Sequence, residues 1–226
     1  LISTDSLSGV AALYYSVDGS SFALYSSSFA VSGEGAHILK YYSSDRAGNK
    51  ETEKELAFKL DLNVPVVAAV SRPAANNYGW NNTAVAVVFS GTDTVSGLAY
   101  CEPEKVIDTE GSSRTVTGFC SDYAGWSSTV TLIVSIDTTA PNLSYTAEPM
   151  ANQAGWNNSD ITVKFVCADG LSGIKSCPAD ILLGGEGVHI STSSVASDYA
   201  GNSSTATAVL NIDRTPPVIT ISSPVS

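Results

Sequence analysis

A repeat with a period of 76 residues (from Gly79 to Gly155, 155 − 79 = 76) constrains the fold of this chain more than any other feature of its sequence. The tetrapeptide Gly-Trp-Asn-Asn at residues 79–82 recurs at residues 155–158, and Asp-Tyr-Ala-Gly at residues 122–125 recurs at residues 198–201. Two acidic positions keep the same spacing in three copies: Glu34, Glu110 and Glu186, and Asp61, Asp137 and Asp213. Self-similarity at a fixed period is typical of a chain built from copies of one small structural unit.

Prolines mark the predicted boundaries between these units. Each aspartate of the second acidic series is followed four residues later by a proline: Pro65, Pro141 and Pro217. The sequence therefore predicts an incomplete first module at residues 1–64, complete modules at residues 65–140 and 141–215, and a remainder at residues 216–226. The first module is expected to lack its first strand and most of its second. The remainder is interpreted as the first strand of a following module, or as a donor strand for another copy of the chain.

The pattern within a module predicts strands and turns rather than helices. Ile161, Val163, Phe165 and Cys167 lie at alternate positions, which is the period of a strand that buries one face. In the third module we predict strands at residues 142–148, 160–167, 174–183, 189–197 and 203–212. About seven short strands in such a module are typical of an immunoglobulin-like sandwich. The predicted fold class is all-β, with tandem immunoglobulin-like β-sandwich modules arranged as an elongated rod.

Several motifs resemble known families of repeated modules. The third module has Gly-Trp-Asn-Asn at residues 155–158, a Cys167 and Cys177 pair, and Asp-Arg-Thr-Pro-Pro at residues 213–217, and it resembles bacterial Ig-like repeats of large surface proteins. The first module, with its Tyr-rich segments at residues 14–19 and 41–49, resembles the Ig-like module first named for a leptospiral outer-membrane protein. The resemblance implies extracellular scaffolding. Such modules occur in adhesins, surface-layer proteins and secreted hydrolases, and adhesin relatives often hold calcium at module junctions.

The four cysteines fall two in each complete module. This placement predicts the disulfides Cys101–Cys120 and Cys167–Cys177, in which Cys101 and Cys177 are equivalent by the repeat and their partners are not. A zinc site is the alternative reading, although no Cys-x2-Cys pair occurs and the two histidines lie in separate modules. Because disulfides persist in oxidising compartments, the predicted location is extracellular or at the cell surface.

Aspartates recur where one module is expected to meet the next. In an Ig-like sandwich the loop after the second strand and the turn before the last strand lie at the end where the chain enters. Two groups of three aspartates are therefore predicted to converge: Asp61, Asp93 and Asp122, and Asp137, Asp169 and Asp198. Calcium takes oxygen ligands in such sets and is the predicted metal. The alternative is that each aspartate caps its own turn, which needs no metal.

Asparagine and tryptophan residues give two further candidate sites. Four Asn-x-Ser/Thr triplets are candidate glycan acceptors, or simply polar turn residues: Asn81, Asn142, Asn157 and Asn202. Trp80, Trp126 and Trp156 are candidates for a sugar-stacking surface. Two of these tryptophans share one repeat position, which favours a packing role.

Composition and motifs argue against several classes of function. A net charge of −11 disfavours binding to nucleic acid, and no apolar run is long enough for membrane insertion. The chain is expected not to be an enzyme, because its two histidines adjoin no nucleophile motif and its carboxylates recur in every module. No cofactor is expected to be required, and calcium is the candidate ion. An active site copied into every module is not expected.

Two functions remain as predictions. The first is an extracellular spacer, stalk or filament segment, whose partners are neighbouring modules or other copies of the chain, polymerised head-to-tail by strand addition and rigidified by calcium. The second is an adhesive or glycan-binding module of a surface adhesin or secreted hydrolase, with a surface glycan or host receptor as its partner. The long hairpin that contains Tyr14 and Tyr25 is the candidate binding surface for the second.

Overall fold

The computed structural model describes residues 1–222, and within them it consists of strands, turns and irregular segments without a helix. The predicted all-β class is confirmed. No helix capable of crossing a membrane is found in this part of the chain. The alternation expected along residues 160–167 is also present, because Ile161, Val163 and Phe165 are buried and the residues between them are more exposed.

The first repeat, residues 1–64, forms one antiparallel sheet of four strands in the order β2-β1-β3-β4. The strands are β1 Val10–Val17, β2 Ala23–Leu24, β3 Gly35–Asp45 and β4 Lys54–Leu60. Residues 1–9 contain no strand. Tyr14 of β1 lies opposite Leu24 on one side and Tyr42 on the other, so the predicted long hairpin supplies one inner strand, β1, and one edge strand, β2.

The second repeat, residues 65–140, contains six strands. They are β5 Val66–Arg72, β6 Val85–Thr92, β7 Leu98–Cys101, β8 Lys105–Ile107, β9 Gly111–Asp122 and β10 Ser127–Ile136. They form two three-stranded sheets, in the orders β5-β6-β8 and β10-β9-β7.

The third repeat, residues 141–215, has the same plan. Its strands are β11 Asn142–Glu148, β12 Ile161–Ala168, β13 Ile174–Ser176, β14 Ile181–Leu183, β15 Gly187–Asp198 and β16 Ser203–Ile212. The sheets are β11-β12-β14 and β13-β15-β16. The single strand expected at residues 174–183 was wrong. The chain leaves β13 at Cys177-Pro178 and passes into the other sheet as β14, since proline has no N–H to continue a ladder.

Both sheets of the third repeat contribute to one apolar core. Val163 and Phe165 of β12 are buried against Ala208 of β16, which belongs to the opposite sheet. Side chains from β11, β14 and β16 surround them: Leu143, Ile181, Leu183, Ala206 and Leu210. This arrangement is that of a β-sandwich. The core lies between the two sheets, and the loops lie outside it at the ends of the strands.

By contact density the chain divides into two compact units whose limits are not those of the repeats. The first unit contains Leu1–Ala69, Phe89–Pro103 and Thr117–Thr131, and the second contains Val70–Val88, Glu104–Val116 and the chain from Leu132 on. Asp61, Asp93 and Asp122 all belong to the first unit. Asp137, Asp169 and Asp198 all belong to the second.

The segment after Asp213 forms no strand between residues 214 and 222. Val218, Ile219 and Ile221 are 86%, 88% and 91% exposed. The strand predicted for residues 216–226 is therefore not formed at residues 216–222 within this chain, and residues 223–226 lie outside the described residues.

Candidate functional site: two clusters of aspartates

The first predicted group of aspartates converges in the structure. Asp61 follows β4, Asp93 lies in the turn after β6, and Asp122 ends β9. One carboxylate oxygen from each lies within 4.8 Å of the other two. Asp61 and Asp122 are buried and Asp93 is partly buried. The three carboxylates thus form one compact, largely desolvated cluster in the first compact unit.

Backbone N–H groups satisfy much of this cluster. Asp93 Oδ1 accepts hydrogen bonds from the N–H groups of Ser96 (3.0 Å) and Gly97 (2.7 Å), and Gly97 has the positive φ that this turn requires. Asp61 accepts from the N–H groups of Ser96 (3.1 Å) and Asn63 (3.1 Å). Hydrogen bonding from Ser96, helped by Asn63 and opposed by burial, lowers the pKa of Asp61. These aspartates therefore cap turns, as the simpler interpretation expected.

Asp122 is not fully satisfied by these bonds. Its Oδ1 accepts a hydrogen bond from the N–H of Trp126 (2.9 Å), whereas its Oδ2 is buried and has no hydrogen-bond partner among residues 1–222. The residue is only 3% exposed. A buried carboxylate oxygen without a partner costs free energy, so this position has an unused capacity to bind a donor or a cation.

The second group converges in the same way in the second compact unit. Carboxylate oxygens of Asp137, Asp169 and Asp198 lie within 4.8 Å of one another, and Asp137 and Asp198 are completely buried. Asp169 Oδ1 accepts from the N–H groups of Leu171 (3.1 Å) and Gly173 (2.6 Å). Asp137 Oδ2 accepts from Ser172 N–H (2.9 Å). The two clusters are therefore built by residues at equivalent repeat positions, and they share the bonds from Gly97 or Gly173 and from Ser96 or Ser172.

The clusters differ at one equivalent position, which is Trp126 in the second repeat and Asn202 in the third. Asn202 donates its side-chain NH₂ to Asp198 Oδ2 (2.9 Å), and also to the carbonyl oxygens of Asp137 (2.8 Å) and Thr139 (3.2 Å). Trp126 has a single indole N–H, which it donates to the carbonyl oxygen of Asp61 (2.9 Å). Asp122 Oδ2 consequently has no donor in the described part of the chain. The repeat alignment pairs Trp126 with Asn202, so the sequence shows the substitution but not which carboxylate oxygen it leaves without a donor.

The charge of the clusters is not balanced by side chains. None of the six aspartates forms an ion pair with a lysine, arginine or histidine within residues 1–222. Carboxylates that share a site repel one another unless a proton or cation intervenes. Calcium accepts carboxylate oxygens in variable numbers, so the donor set of both clusters fits calcium, and the unpartnered Asp122 Oδ2 fits it best.

Glutamates that recur with the period of the repeat hold the segments that follow Asp61 and Asp137. Glu110 Oε1 accepts hydrogen bonds from Thr138 N–H (2.8 Å) and from the hydroxyls of Thr138 (2.5 Å) and Thr139 (2.8 Å). These bonds lower the pKa of Glu110. Glu34 accepts from Leu62 N–H (3.2 Å) in the same way. Each of these glutamates therefore holds the segment by which the chain leaves that glutamate's own repeat.

Both predicted cysteine pairs are joined in the structure. Cys101 of β7 and Cys120 of β9 are direct cross-strand partners with S–S 2.08 Å. Cys167 of β12 is bonded to Cys177, beyond β13, with S–S 1.97 Å, and this bond links the two sheets of the third repeat. No free cysteine remains, so the zinc alternative finds no thiolate ligand.

The structure corrects part of the glycosylation prediction. Asn81 and Asn157 are 5% and 4% exposed, and their backbones bridge to β10 and β16. A folded repeat cannot present these side chains to a glycosyltransferase. Asn202 uses its NH₂ group in the hydrogen bonds described above, whereas Asn142 is exposed at the start of β11. Only Asn142 has the accessibility that an acceptor requires.

Aromatic side chains of the first repeat form two clusters on its sheet. Tyr14 and Tyr42 stack with ring centroids 5.0 Å apart, Phe22 meets Tyr42 edge-on at 4.9 Å, and Lys50 Nζ lies 3.9 Å from the centre of the Tyr42 ring. The second cluster consists of Tyr15, Tyr25 and Phe29. Because the rings cover one another, the outer faces and edges are what a ligand would meet.

Comparisons with known proteins identify no family. No protein-family model and no curated protein matches the chain. Among solved structures, the chain is similar to SGBP-B of the Bacteroides ovatus mixed-linkage glucan utilization locus (MLGUL) in complex with mixed-linkage heptasaccharide. The identity is 11%, the match covers 89% of this chain and 60% of that chain, and the TM-score is 0.17. The chain thus spans less than two thirds of that protein, and a likeness this weak carries no argument about function.

Proposed function

We propose that this chain is an extracellular or cell-surface structural segment, a spacer, stalk or filament built from tandem Ig-like repeats arranged as a rod. The observation that carries the proposal is the recurrence of the aspartate cluster. In each case an aspartate that ends one repeat, Asp61 or Asp137, is held by two loops of the next repeat. An aspartate cluster that recurs at successive junctions is expected to stabilise those junctions. Repeat proteins in which each unit contacts only its neighbours depend on such interfaces.

We propose further that calcium binds both clusters and stiffens these joints. Support comes from the all-oxygen donor set, the absence of ion-pair partners for the six aspartates within residues 1–222, and the buried Asp122 Oδ2 that no donor reaches. A bound cation would relieve the repulsion between three carboxylates and fix the direction of the linker, together with the glutamate bonds described above.

The proposal also covers the location of the chain, its lack of catalytic activity and its partners. Two disulfides support an extracellular location, because such bonds persist in oxidising compartments. The chain is proposed not to be an enzyme, since carboxylate clusters built at equivalent repeat positions occur twice, and an active site copied into successive repeats is not expected. Its proposed partners are neighbouring repeats and other copies of itself.

The test is a calcium titration of the full chain, with EDTA reversal, followed by thermal melting. Calcium is expected to raise the Tm by mass action, and Asp122→Asn is expected to reduce the gain. The matched control is Asp108→Asn, which removes one exposed carboxylate away from both clusters. Small-angle scattering checks the rod. A wild-type Tm that does not respond to calcium would contradict the calcium proposal, and a compact particle would contradict the rod.

A second candidate function is favoured by the aromatic surface of the first repeat. Phe22, Tyr14 and Tyr42 lie on one face of the hairpin, where stacking on sugar rings is chemically feasible. Saturable binding to a glycan panel that is lost in Phe22→Ala, and retained when Tyr123, exposed in the second repeat, is changed to alanine, would favour a glycan-binding module.

A further inference from the structure

The second compact unit shows how a loop of one repeat receives a turn of the next. Asn76 donates its side-chain NH₂ to the carbonyl oxygens of Tyr199 (2.9 Å) and Ala200 (3.1 Å) in the turn between β15 and β16. The ring of Tyr78 meets that of Tyr199 edge-on, with centroids 5.0 Å apart. Asn202 of the same turn holds the carbonyl oxygen of Asp137. Asn76, Tyr78 and Asp137 therefore belong to a receiving face of the second repeat.

Within residues 1–222, the equivalent face of the third repeat is open. Asn152, Trp156, Asn158 and Asp213 are the repeat counterparts of Asn76, Trp80, Asn82 and Asp137. They line a cavity of about 450 Å³. Asn152 Oδ1 already accepts from the N–H groups of Ala154 (2.9 Å) and Trp156 (3.1 Å), as Asn76 Oδ1 does from its own turn. Its NH₂ group is thus oriented by the turn to cap an incoming turn.

The first repeat presents the complementary half. Asp45 Oδ1 accepts from Asn49 N–H (2.8 Å) and its Oδ2 from Asn49 Nδ2 (2.7 Å), which are the bonds that Asp198 makes with Asn202. Asp5 Oδ1 accepts from Leu7 N–H (2.7 Å) and Gly9 N–H (3.3 Å), as Asp169 does in the third repeat. Asp5, Asp45 and Asn49 line an open cavity of about 310 Å³. These residues correspond to those that enclose Asp61 and Asp137 at the internal joints.

The segment after Asp213 carries exposed apolar residues at Val218, Ile219 and Ile221, which a partner chain could cover. Val218 and Ile219 are the repeat counterparts of Asn142 and Leu143, which pair with Ala168 and Cys167 across β11 and β12. Leu143 is partly buried against the core, whereas Asn142 is exposed. In a strand of this register Ile219 therefore faces inward and Val218 faces solvent.

We propose that copies of this chain associate head-to-tail, the receiving face of the third repeat docking on the Asp5 and Asp45 loops of a second copy. Residues 218–221 then add as an antiparallel strand to residues 1–4, with Val218 opposite Thr4 and Ile219 opposite Ser3. This inference rests on the proposed structural function and names its partner. Because Asp213 approaches Asp5 and Asp45, association is tested in calcium-containing buffer.

Sedimentation velocity across a wide concentration range tests the association, using two substitutions of neighbouring exposed residues. The wild-type chain of 23.4 kDa is expected to form species of increasing mass as its concentration rises. Ile219→Asp is expected to need at least about tenfold higher concentration to associate, since it buries a charge at the joint. Val218→Asp, which adds the same charge at the outward position, is expected to behave as wild type.

A second pair of variants tests the receiving face of the third repeat. Asn152→Asp keeps the oxygen that accepts the turn hydrogen bonds but replaces the donor NH₂ by an acceptor, which repels the carbonyl oxygens of an incoming turn. It is expected to weaken association, whereas Thr205→Asp, exposed near the start of β16, is not. A wild-type chain that stays monomeric at all concentrations overturns the proposal, and so does equal association of the two variants at positions 218 and 219.

Cross-linking tests the register. All four native cysteines are paired, so single cysteines introduced on separate copies are the only free thiols. A mixture of Ser3→Cys and Ile219→Cys chains is expected to form a disulfide-linked dimer, and a mixture of Ser3→Cys and Thr205→Cys chains is not. Equal cross-linking in both mixtures overturns the register. Calcium stabilisation measured in Ile219→Asp reports on the internal clusters alone, so failure of the association leaves the proposed function separately testable.

Discussion

Trp126 donates its indole N–H to the backbone carbonyl of Asp61, 2.9 Å away, and so joins the turn before the last strand of the second repeat to the end of the first. In the third repeat Asn202 makes the equivalent bond to Asp137 and in addition reaches the buried carboxylate of Asp198. The junction at Asp61 therefore receives one side-chain hydrogen bond from Trp126. The equivalent junction at Asp137 has Asn202, whose NH₂ group bonds both Asp137 and Asp198. This difference separates the two aspartate clusters chemically.

Exchanging these two residues should exchange the calcium response of the clusters. Trp126→Asn supplies Asp122 Oδ2 with a donor, so we expect the difference in Tm between calcium and EDTA to become smaller. Asn202→Trp removes the donor from Asp198 Oδ2, and the difference should become larger. Differential scanning calorimetry of both variants checks the expectation. Changes of the same sign in the two would show that the Asn-to-Trp difference does not control the response.

The stability of the first compact unit should fall as the pH rises through the raised pKa of His37. His37 Nδ1 lies 2.7 Å from Asp18 Oδ2, and this bond, with a second to the carbonyl oxygen of Gly33, raises the pKa of His37. A raised folded-state pKa contributes stability that is complete below the unfolded value of about 6.5 and is lost as the pH rises through the folded value. The pKa of Asp18 is lowered chiefly by the same bond, so its contribution is lost as acid protonates it.

Thermal melts between pH 5 and pH 9 in wild type and in His37→Gln measure this dependence. The variant should lose the alkaline decline that is specific to His37. His189→Gln, an exposed histidine of the third repeat, is the matched control and should keep that decline. An identical pH profile in wild type and His37→Gln would rule out the pair as its source.

Removing either disulfide should destabilise its repeat by a similar amount. The bonds close loops with sequence separations of 19 and 10 residues. Loop-closure entropy then predicts a loss of about 3 kcal/mol in the free energy of unfolding for each, and slightly more for Cys101–Cys120. Urea unfolding of the two double alanine variants measures the loss. A much larger loss for Cys167–Cys177 would indicate that it acts mainly by linking the two sheets.

Gly118 should not tolerate a side chain. A Cβ at this position would lie 2.5 Å from the ring of Phe89, which is buried. Gly118→Ala should therefore lower the free energy of unfolding by about 1–3 kcal/mol through overpacking. Gly170→Ala, where a Cβ would meet open space, is the control and should leave stability nearly unchanged. Equal effects of the two would show that the second repeat adjusts around Phe89.

Much of the secondary structure followed from local patterns in the sequence. The strands expected at residues 142–148 and 203–212 have the bounds of β11 and β16, because alternation and flanking turns define them locally. The strand expected at residues 174–183 is two strands in two sheets, which depends on where the chain crosses the core. Asn81 and Asn157 looked like surface turn residues, yet both are buried by parallel bridges to strands more than fifty residues away.

By itself, the sequence determined the period of the repeat, the all-β class, the two cysteine pairs and the identity of the six aspartates, because each of these is set by residue type and spacing. Only the tertiary structure decided which carboxylate oxygens are satisfied, that Glu110 holds Thr138, and that Asp122 Oδ2 has no donor. Those facts depend on how distant loops are brought together. Hydrogen-bond satisfaction is a property of three-dimensional position, and a shared repeat position does not specify it when Trp126 stands in place of Asn202.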